Sequence, residues 1–320
     1  MSSACDLGGG SDEPAFPTGA PVHLVDTNVG PSRPLPSGGT IELFFDRLLL
    51  PSTLTRQTFV LADLAGNGAT PLVLYDPVAR AVTLVPVAPL DPCQSYRVYF
   101  VQPGDAADTN GLRAIDGAPL APSTPEFLEF PVQGTCAVGG DAGSDAGLTP
   151  PGTPTTLPAI DFCSEVLPVL RGACATCHGG AAPPAGLALS DDRAILATAI
   201  NRVAQGANQG PRAVAQPPTS HFGLDMPIID RGSGQDTGAP GDSWLVYKLL
   251  LTVPPSTPLA HNLHSRPWKP LADGERATLA QYVTGLGMPY PPYPALSLDE
   301  LETLSFWIAQ GAPLAACTGG

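Results

Sequence analysis

The chain has 320 residues, a length that favours two domains over one. It carries 15 basic and 29 acidic residues, and the net charge of −14 argues against binding to nucleic acid or to an anionic membrane surface. No stretch of sequence is apolar for long enough to predict a transmembrane span. The 35 glycines and 39 prolines cluster, so they mark loops and linkers between apolar segments.

Residues 1–20 are predicted to form a flexible N-terminal segment rich in Gly, Ser and Asp. Cys5 follows small residues and precedes a polar run. This pattern resembles the end of a bacterial lipoprotein signal, in which a cysteine after a small residue is lipidated. The resemblance implies a lipid anchor on Cys5. An ordinary flexible terminus with an unmodified thiol is the alternative.

Residues 21–136 contain short β-rich runs separated by turn residues. Ile41, Leu43 and Phe45 alternate with Glu42 and Phe44, which predicts a strand with one buried face. Seven such runs favour an antiparallel β-sandwich. The predicted strands cover residues 22–29, 40–45, 58–62, 72–75, 81–85, 96–101 and 127–132.

Three segments of this region carry a resemblance to a known family. They read IELFFDRLLLPSTLT, VLYDPVARAVTLVPVAPLDPCQSYRVYF and DTNGLRAIDGAPL. They are similar to the bacterial Ig-like domain of S-layer and other surface proteins. The resemblance implies a spacer or interaction module without catalytic residues.

Residues 137–158 are predicted to be a linker, because Gly, Asp, Ser, Thr and Pro leave almost nothing to bury. Residues 159–320 are then predicted to form helices joined by long loops. Helices are expected over 164–173, after a cap at Ser190, from 244 to 251, and from 273 to about 284. The last helix has the clearest signals, because Ser297 and Glu300 form a capping box and Gly311 ends the pattern.

The sequence Cys174-Ala-Thr-Cys177-His178 is the strongest motif in the chain. A C-x-x-C-H motif is typical of c-type haem attachment, in which two thiols form thioether bonds and the histidine ligates the iron. A zinc site would need a second ligand pair that the sequence lacks. A thioredoxin-like redox pair would need a βαβ context. The motif therefore predicts one covalent haem c on Cys174, Cys177 and His178.

The segments EVLPVLRGACATCHGG, LALSDDRAIL, PGDSWLVYKLL and GMPYPPYPALSLDELETLSFWIAQGAP extend this motif. Together they resemble a class I-type cytochrome c of a secreted multidomain bacterial protein, with long Pro/Gly-rich insertions. The resemblance implies an all-α haem domain, with a methionine before the last helix as the second axial ligand. By position that methionine is Met288. Met226 is the alternative because it also precedes a proline, and a histidine or a vacant position is the third possibility.

Four cysteines remain after the motif and Cys5 are set aside. Their positions favour the disulfides Cys93–Cys136 and Cys163–Cys317, although four cysteines allow three connectivities. Disulfides and haem attachment both predict an oxidising compartment outside the cytoplasm, in the periplasm or at the cell surface.

The expected architecture is therefore an all-β Ig-like sandwich followed by an all-α cytochrome c-like domain. The expected function is one-electron transfer with redox partner proteins of the cell envelope, without catalysis of its own. Three alternatives remain. In the first, the chain is the electron-accepting haem subunit of an envelope oxidoreductase complex. In the second, it is a five-coordinate haem sensor or peroxidase. In the third, it is a structural surface protein.

Overall fold

The computed structural model describes residues 19–92, 94–102, 111–134, 159–213, 220–232, 237–252 and 270–317. The N-terminal part of these residues is built from eight strands. They are β1 (Leu24–Thr27), β2 (Ile41–Phe45), β3 (Phe59–Asp63), β4 (Gly68–Ala69), β5 (Pro71–Asp76), β6 (Ala81–Pro86), β7 (Ser95–Phe100) and β8 (Phe127–Pro131).

The strands form two antiparallel sheets of four strands each, in the orders β1-β2-β6-β5 and β4-β3-β7-β8. In the first sheet Ile41 pairs with Leu84 and Leu43 with Val82, and all four side chains are buried. In the second sheet Leu61 pairs with Val98, and both contribute to the same apolar core. The sheets therefore bury their alternating apolar residues in the way that the sequence predicts for a β-sandwich.

Six α-helices follow in the C-terminal part of the described residues. They are α1 (Leu167–Ala173), α2 (Ala175–His178), α3 (Asp192–Thr198), α4 (Trp244–Leu250), α5 (Asp273–Tyr282) and α6 (Leu298–Ala309). A π-helical turn (Phe162–Val166) leads into α1, and the Asp161 side chain caps it by accepting the Ser164 N–H. The predicted capping box of α6 is present between Ser297 and Glu300.

The predicted all-α cytochrome c-like domain is wrong, because this part of the described chain is mixed and irregular. Five of its helices have ten residues or fewer, and the longest has twelve. Between α3 and α4 the chain forms β-bridges, which pair Ile200 with Ile229 and Val203 with Pro227. The physical reason is the sequence itself, since Pro in the long connections breaks a helix and Gly disfavours one.

The helices also pack against the sheets instead of only against one another. Ser305 of α6 is fully buried, and its hydroxyl donates to Asp76 Oδ1 of β5 at 2.8 Å. Gly241 lies against Tyr75 of the same strand, where a Cβ would come within 3.0 Å of the ring. Because α6 packs against the sheet, it buries the polar residues Glu302 and Ser305 in addition to its predicted face of Leu301, Leu304 and Ile308.

A disulfide joins Cys163 to Cys317, across 154 residues of sequence. This is one of the two pairs that the sequence analysis preferred. It connects the start of the helical part to the segment that follows α6. The other pair, Cys93–Cys136, lies outside the described residues, as do Cys5 and the predicted linker.

Candidate functional site

The motif cysteines lie at a break between two short helices. Cys174 ends α1 and precedes α2, and its carbonyl accepts the backbone N–H groups of Cys177 and His178 at 3.2 and 2.8 Å. This single turn brings the two cysteines and the histidine together. Gly179 lets the chain leave the turn, because a Cβ there would lie 2.5 Å from the Ala175 carbonyl oxygen.

Both motif cysteines are free thiols in different surroundings. Cys174 is buried, whereas Cys177 is exposed. Burial raises the pKa of the Cys174 thiol to about 11, and the neighbouring Cys177 and Glu300 add to this shift. Cys174 is therefore a neutral thiol at physiological pH, and Cys177 is the more accessible of the two.

His178 is held in one orientation by its own loop. Its Nδ1 lies 3.1 Å from the Leu187 carbonyl oxygen. Because a carbonyl only accepts hydrogen bonds, this partner assigns the proton to Nδ1. The lone pair of Nε2 is then available as a ligand, in the arrangement by which proteins orient a ligating imidazole.

Met288 lies in a loop that is anchored to α4. Its N–H donates to the Lys248 carbonyl at 2.9 Å, and its own carbonyl accepts the Thr252 hydroxyl at 2.7 Å. The preceding Gly287 passes close to the end of α4, where a Cβ would lie 2.6 Å from Thr252 Cγ2. Two hydrogen bonds and a close approach therefore fix the position of the Met288 backbone.

These four residues line one cavity of about 530 Å³. The cavity wall contains Cys174, Cys177, His178 and Met288 together with apolar and aromatic side chains. The apolar wall residues include Leu187, Leu189, Ile228, Trp244, Leu245 and Leu249. Exposed Val203, Tyr290 and Tyr293 also line it and form its mouth. The structure thus places three sulfur atoms and an imidazole around one apolar space.

Met226, the alternative to Met288, has a different position. Its side chain is fully buried in the apolar core, and it is not among the residues that line the cavity. Its carbonyl accepts the Ala204 N–H at 3.0 Å, in the bridged segment between α3 and α4. Of the two methionines, Met288 is the one that the fold brings to the motif.

Sequence reasoning missed one charged residue of this cavity. Lys248 of α4 is buried, lines the cavity, and donates from Nζ to the Thr284 carbonyl at 3.0 Å. The signal in the sequence was a single lysine within the apolar run WLVYKLL. Arg202 also lines the cavity, but it is exposed.

The cofactor prediction, one covalently attached haem c, is corrected by the donor arrangement. Across the described ranges, no three His, Cys, Asp or Glu side chains form a group that could hold a metal ion. The disulfide found there joins Cys163 to Cys317 and leaves the motif cysteines out. The cavity therefore collects sulfur and nitrogen side chains without a described cluster that could hold a metal ion.

No protein-family model matches this chain, and no curated protein matches it. Solved structures with some similarity include the bacterial S-layer protein SbsC, 13% identical, over 36% of this chain and 14% of that chain, with a TM-score of 0.27. The copper-resistance protein PcoC from Escherichia coli is 15% identical over 36% of this chain and all of its own, with a TM-score of 0.25.

The alpha-2-macroglobulin of Escherichia coli is 14% identical, over 36% of this chain and 6% of that chain, with a TM-score of 0.26. This chain therefore spans about a seventh of the S-layer structure and less of the macroglobulin. These TM-scores are too low to carry an argument about fold or function. Within the described ranges, no helix combines the length and the apolar character that a membrane span requires.

Proposed function

We propose that this protein is an extracytoplasmic electron-transfer protein that carries a bulky redox group in the cavity at Cys174, Cys177 and His178. The observation that carries the proposal is the convergence of two free thiols, an oriented imidazole and the Met288 thioether on one apolar cavity. Thiols form covalent attachments, while imidazole and thioether are ligands that tune redox groups.

The surroundings of the cavity support electron transfer in preference to catalysis. Apolar and aromatic side chains form most of the wall, and a dry wall stabilises one redox group without binding a polar substrate. This role is also the one that the resemblance to class I-type cytochromes c implies for the C-x-x-C-H turn and the Met288 loop. The protein is thus proposed as a carrier without a reaction of its own.

The Cys163–Cys317 disulfide supports a location outside the cytoplasm, in the periplasm or at the cell surface. In such an oxidising compartment, two cysteines separated by two residues are exposed to oxidation. Attachment of a group to both thiols would prevent this oxidation.

Redox partner proteins of the cell envelope are the proposed partners, and docking would occur at the mouth of the cavity. The net charge of −14 favours partners with a basic surface. Val203, Tyr290 and Tyr293 are 52, 51 and 40% exposed, so they supply apolar contact area at the mouth.

Intact mass measured under denaturing conditions tests the proposal on the full chain purified from a periplasm. The wild type is expected to carry mass above that of the polypeptide, because a covalent group survives denaturation. The Cys174→Ser/Cys177→Ser variant is expected to lose that mass. The matched Cys163→Ser/Cys317→Ser variant is expected to keep it. A wild type with the mass of the bare polypeptide would contradict the proposal.

A further inference from the structure

Lys248 is a buried cation in the wall of the cavity. Its residue is 8% exposed, and it lies on α4 among apolar neighbours. An ammonium group can donate three hydrogen bonds. The structure gives Nζ one described partner, the Thr284 carbonyl at 3.0 Å. Among the described residues, no carboxylate lies within ion-pair distance of Nζ.

The surroundings make this arrangement costly for the protein alone. The nearest aromatic group is Trp244, whose ring centroid lies 5.9 Å from Nζ. Transfer of an ammonium into apolar surroundings is unfavourable unless an anion or several hydrogen bonds compensate for the lost water. Burial accordingly lowers the pKa of Lys248 to about 8. The single carbonyl at 3.0 Å replaces only part of the hydration that the ammonium loses, so a further partner is needed.

No acidic group in the described part of the cavity wall compensates for the water that the Lys248 ammonium loses on burial. The ionisable residues that line the cavity are Lys248, Arg202, His178, the two motif cysteines and two tyrosines at the mouth. None of the described lining residues is Asp or Glu, although the whole chain is strongly acidic. The cavity is therefore a local site for an anion in a protein that carries net negative charge.

We propose that the group held in this cavity is an apolar molecule with an acidic substituent, and that Lys248 pairs with that substituent. The inference rests on the proposed function, because it describes the group that the cavity carries. The apolar wall would receive the body of the molecule. The ammonium of Lys248 would receive its carboxylate or equivalent acid, with Arg202 at the exposed side.

Two fluorescent probes of similar shape test this pairing in the full chain with Cys174 and Cys177 free. The probes are 8-anilinonaphthalene-1-sulfonate, which is anionic, and N-phenyl-1-naphthylamine, which has the same rings without the sulfonate. At pH 7, Lys248→Met is expected to weaken binding of the anionic probe about tenfold, the worth of one charge-assisted hydrogen bond. Binding of the neutral probe is expected to stay within about twofold of the wild type.

Arg171→Met is the matched control, because Arg171 is an exposed cation of α1 outside the cavity wall. It is expected to leave both dissociation constants unchanged. Equal binding of the anionic probe by the wild type and Lys248→Met would overturn the inference. Failure of both probes to bind the wild type would overturn it as well.

A second measurement on the wild type covers the case in which Lys248→Met does not fold. Pyrenebutyrate and the neutral pyrenebutanol compete for the probe site, and the carboxylate is expected to compete about tenfold better. Equal competition would overturn the inference. Because the free-thiol protein carries no attached group, these results are independent of the mass test. If the periplasmic protein has the mass of the bare polypeptide but still binds the anionic probe selectively, the proposed redox group is rejected. The anion site at Lys248 is then still supported.

Discussion

The backbone N–H of Leu48 donates a 2.8 Å hydrogen bond to Oε1 of Glu275, across 227 residues of sequence. Leu48 follows β2 of the sandwich, and Glu275 lies in the first turn of α5. Glu275 is 3% exposed and also pairs with Arg47 and Arg80, at 3.5 and 3.8 Å. A buried carboxylate of the helical part thus completes a charge cluster of the sandwich.

Glu275→Gln is expected to lower the free energy of unfolding by about 3 kcal/mol, because it leaves two largely buried guanidinium groups without one of their carboxylates. Chemical denaturation measures the change, followed by far-UV circular dichroism for the strands and by fluorescence for the aromatic residues. The matched variant Glu129→Gln breaks the more exposed, solvent-screened pair with Arg97 and should cost much less. Equal effects of the two variants would contradict the conclusion that the buried Glu275 stabilises the contact between α5 and the sandwich.

Asp242→Asn is expected to stabilise the protein at pH 7.5 by about 2 kcal/mol. Burial is the largest cause that raises the pKa of Asp242 to about 6, and nearby Asp230 adds to it. Because the folded pKa lies above the unfolded value, stability falls as pH rises from about 4 to about 6. The asparagine oxygen can still accept from Ser220 and from the His221 N–H.

Urea denaturation of wild type and Asp242→Asn at pH 3.5 and pH 7.5 measures this difference. The stabilisation should nearly vanish at pH 3.5, where Asp242 is protonated in the folded state and mostly protonated in the unfolded state. A gain of the same size at both pH values would show that charge burial at Asp242 is not its cause.

Removal of the Cys163–Cys317 disulfide by the double serine variant is expected to lower the free energy of unfolding by about 3–5 kcal/mol. The bond closes a loop of 154 residues, so its loss increases the entropy of the unfolded chain. Gln57→Ser is the control, since an exposed residue outside the disulfide and the cavity wall should change stability by less than about 0.5 kcal/mol. A double variant as stable as the wild type would contradict the bond.

The two motif thiols are expected to react at different rates in protein that carries no attached group. Cys177 is exposed, whereas Cys174 is buried and its raised pKa of about 11 keeps it protonated at pH 8. Iodoacetamide followed by peptide mass mapping should therefore label Cys177 at least about tenfold faster. In urea, where burial is lost, the two rates should be nearly equal. Equal rates in the folded protein as well would argue against the buried position of Cys174.

Much of the strand pattern was predictable from sequence, because period-two alternation records burial directly. All seven predicted strands are present, and the strand they omit is β4, whose two residues Gly68 and Ala69 are too short to show alternation. The capping box of α6 was predictable for a similar reason, since Ser297 and Glu300 interact only locally.

The errors come from contacts between distant parts of the chain. The sequence predicts a self-contained helical domain, but Ser305 and Glu275 are buried against the sandwich by residues more than 200 positions away. Helical periodicity carries no information about such partners. In the site, the C-x-x-C-H motif identified three wall residues, whereas Lys248 was found only when the fold brought α4 beside Met288.

The most direct test of the central claim is a spectroelectrochemical titration of the full chain purified from a periplasm. The account predicts a reversible one-electron change in absorbance that is present in the wild type and absent in Cys174→Ser/Cys177→Ser. The Cys163→Ser/Cys317→Ser variant should retain the change, since that disulfide lies outside the cavity wall. A wild-type protein whose spectrum is the same after full oxidation and full reduction would contradict the account.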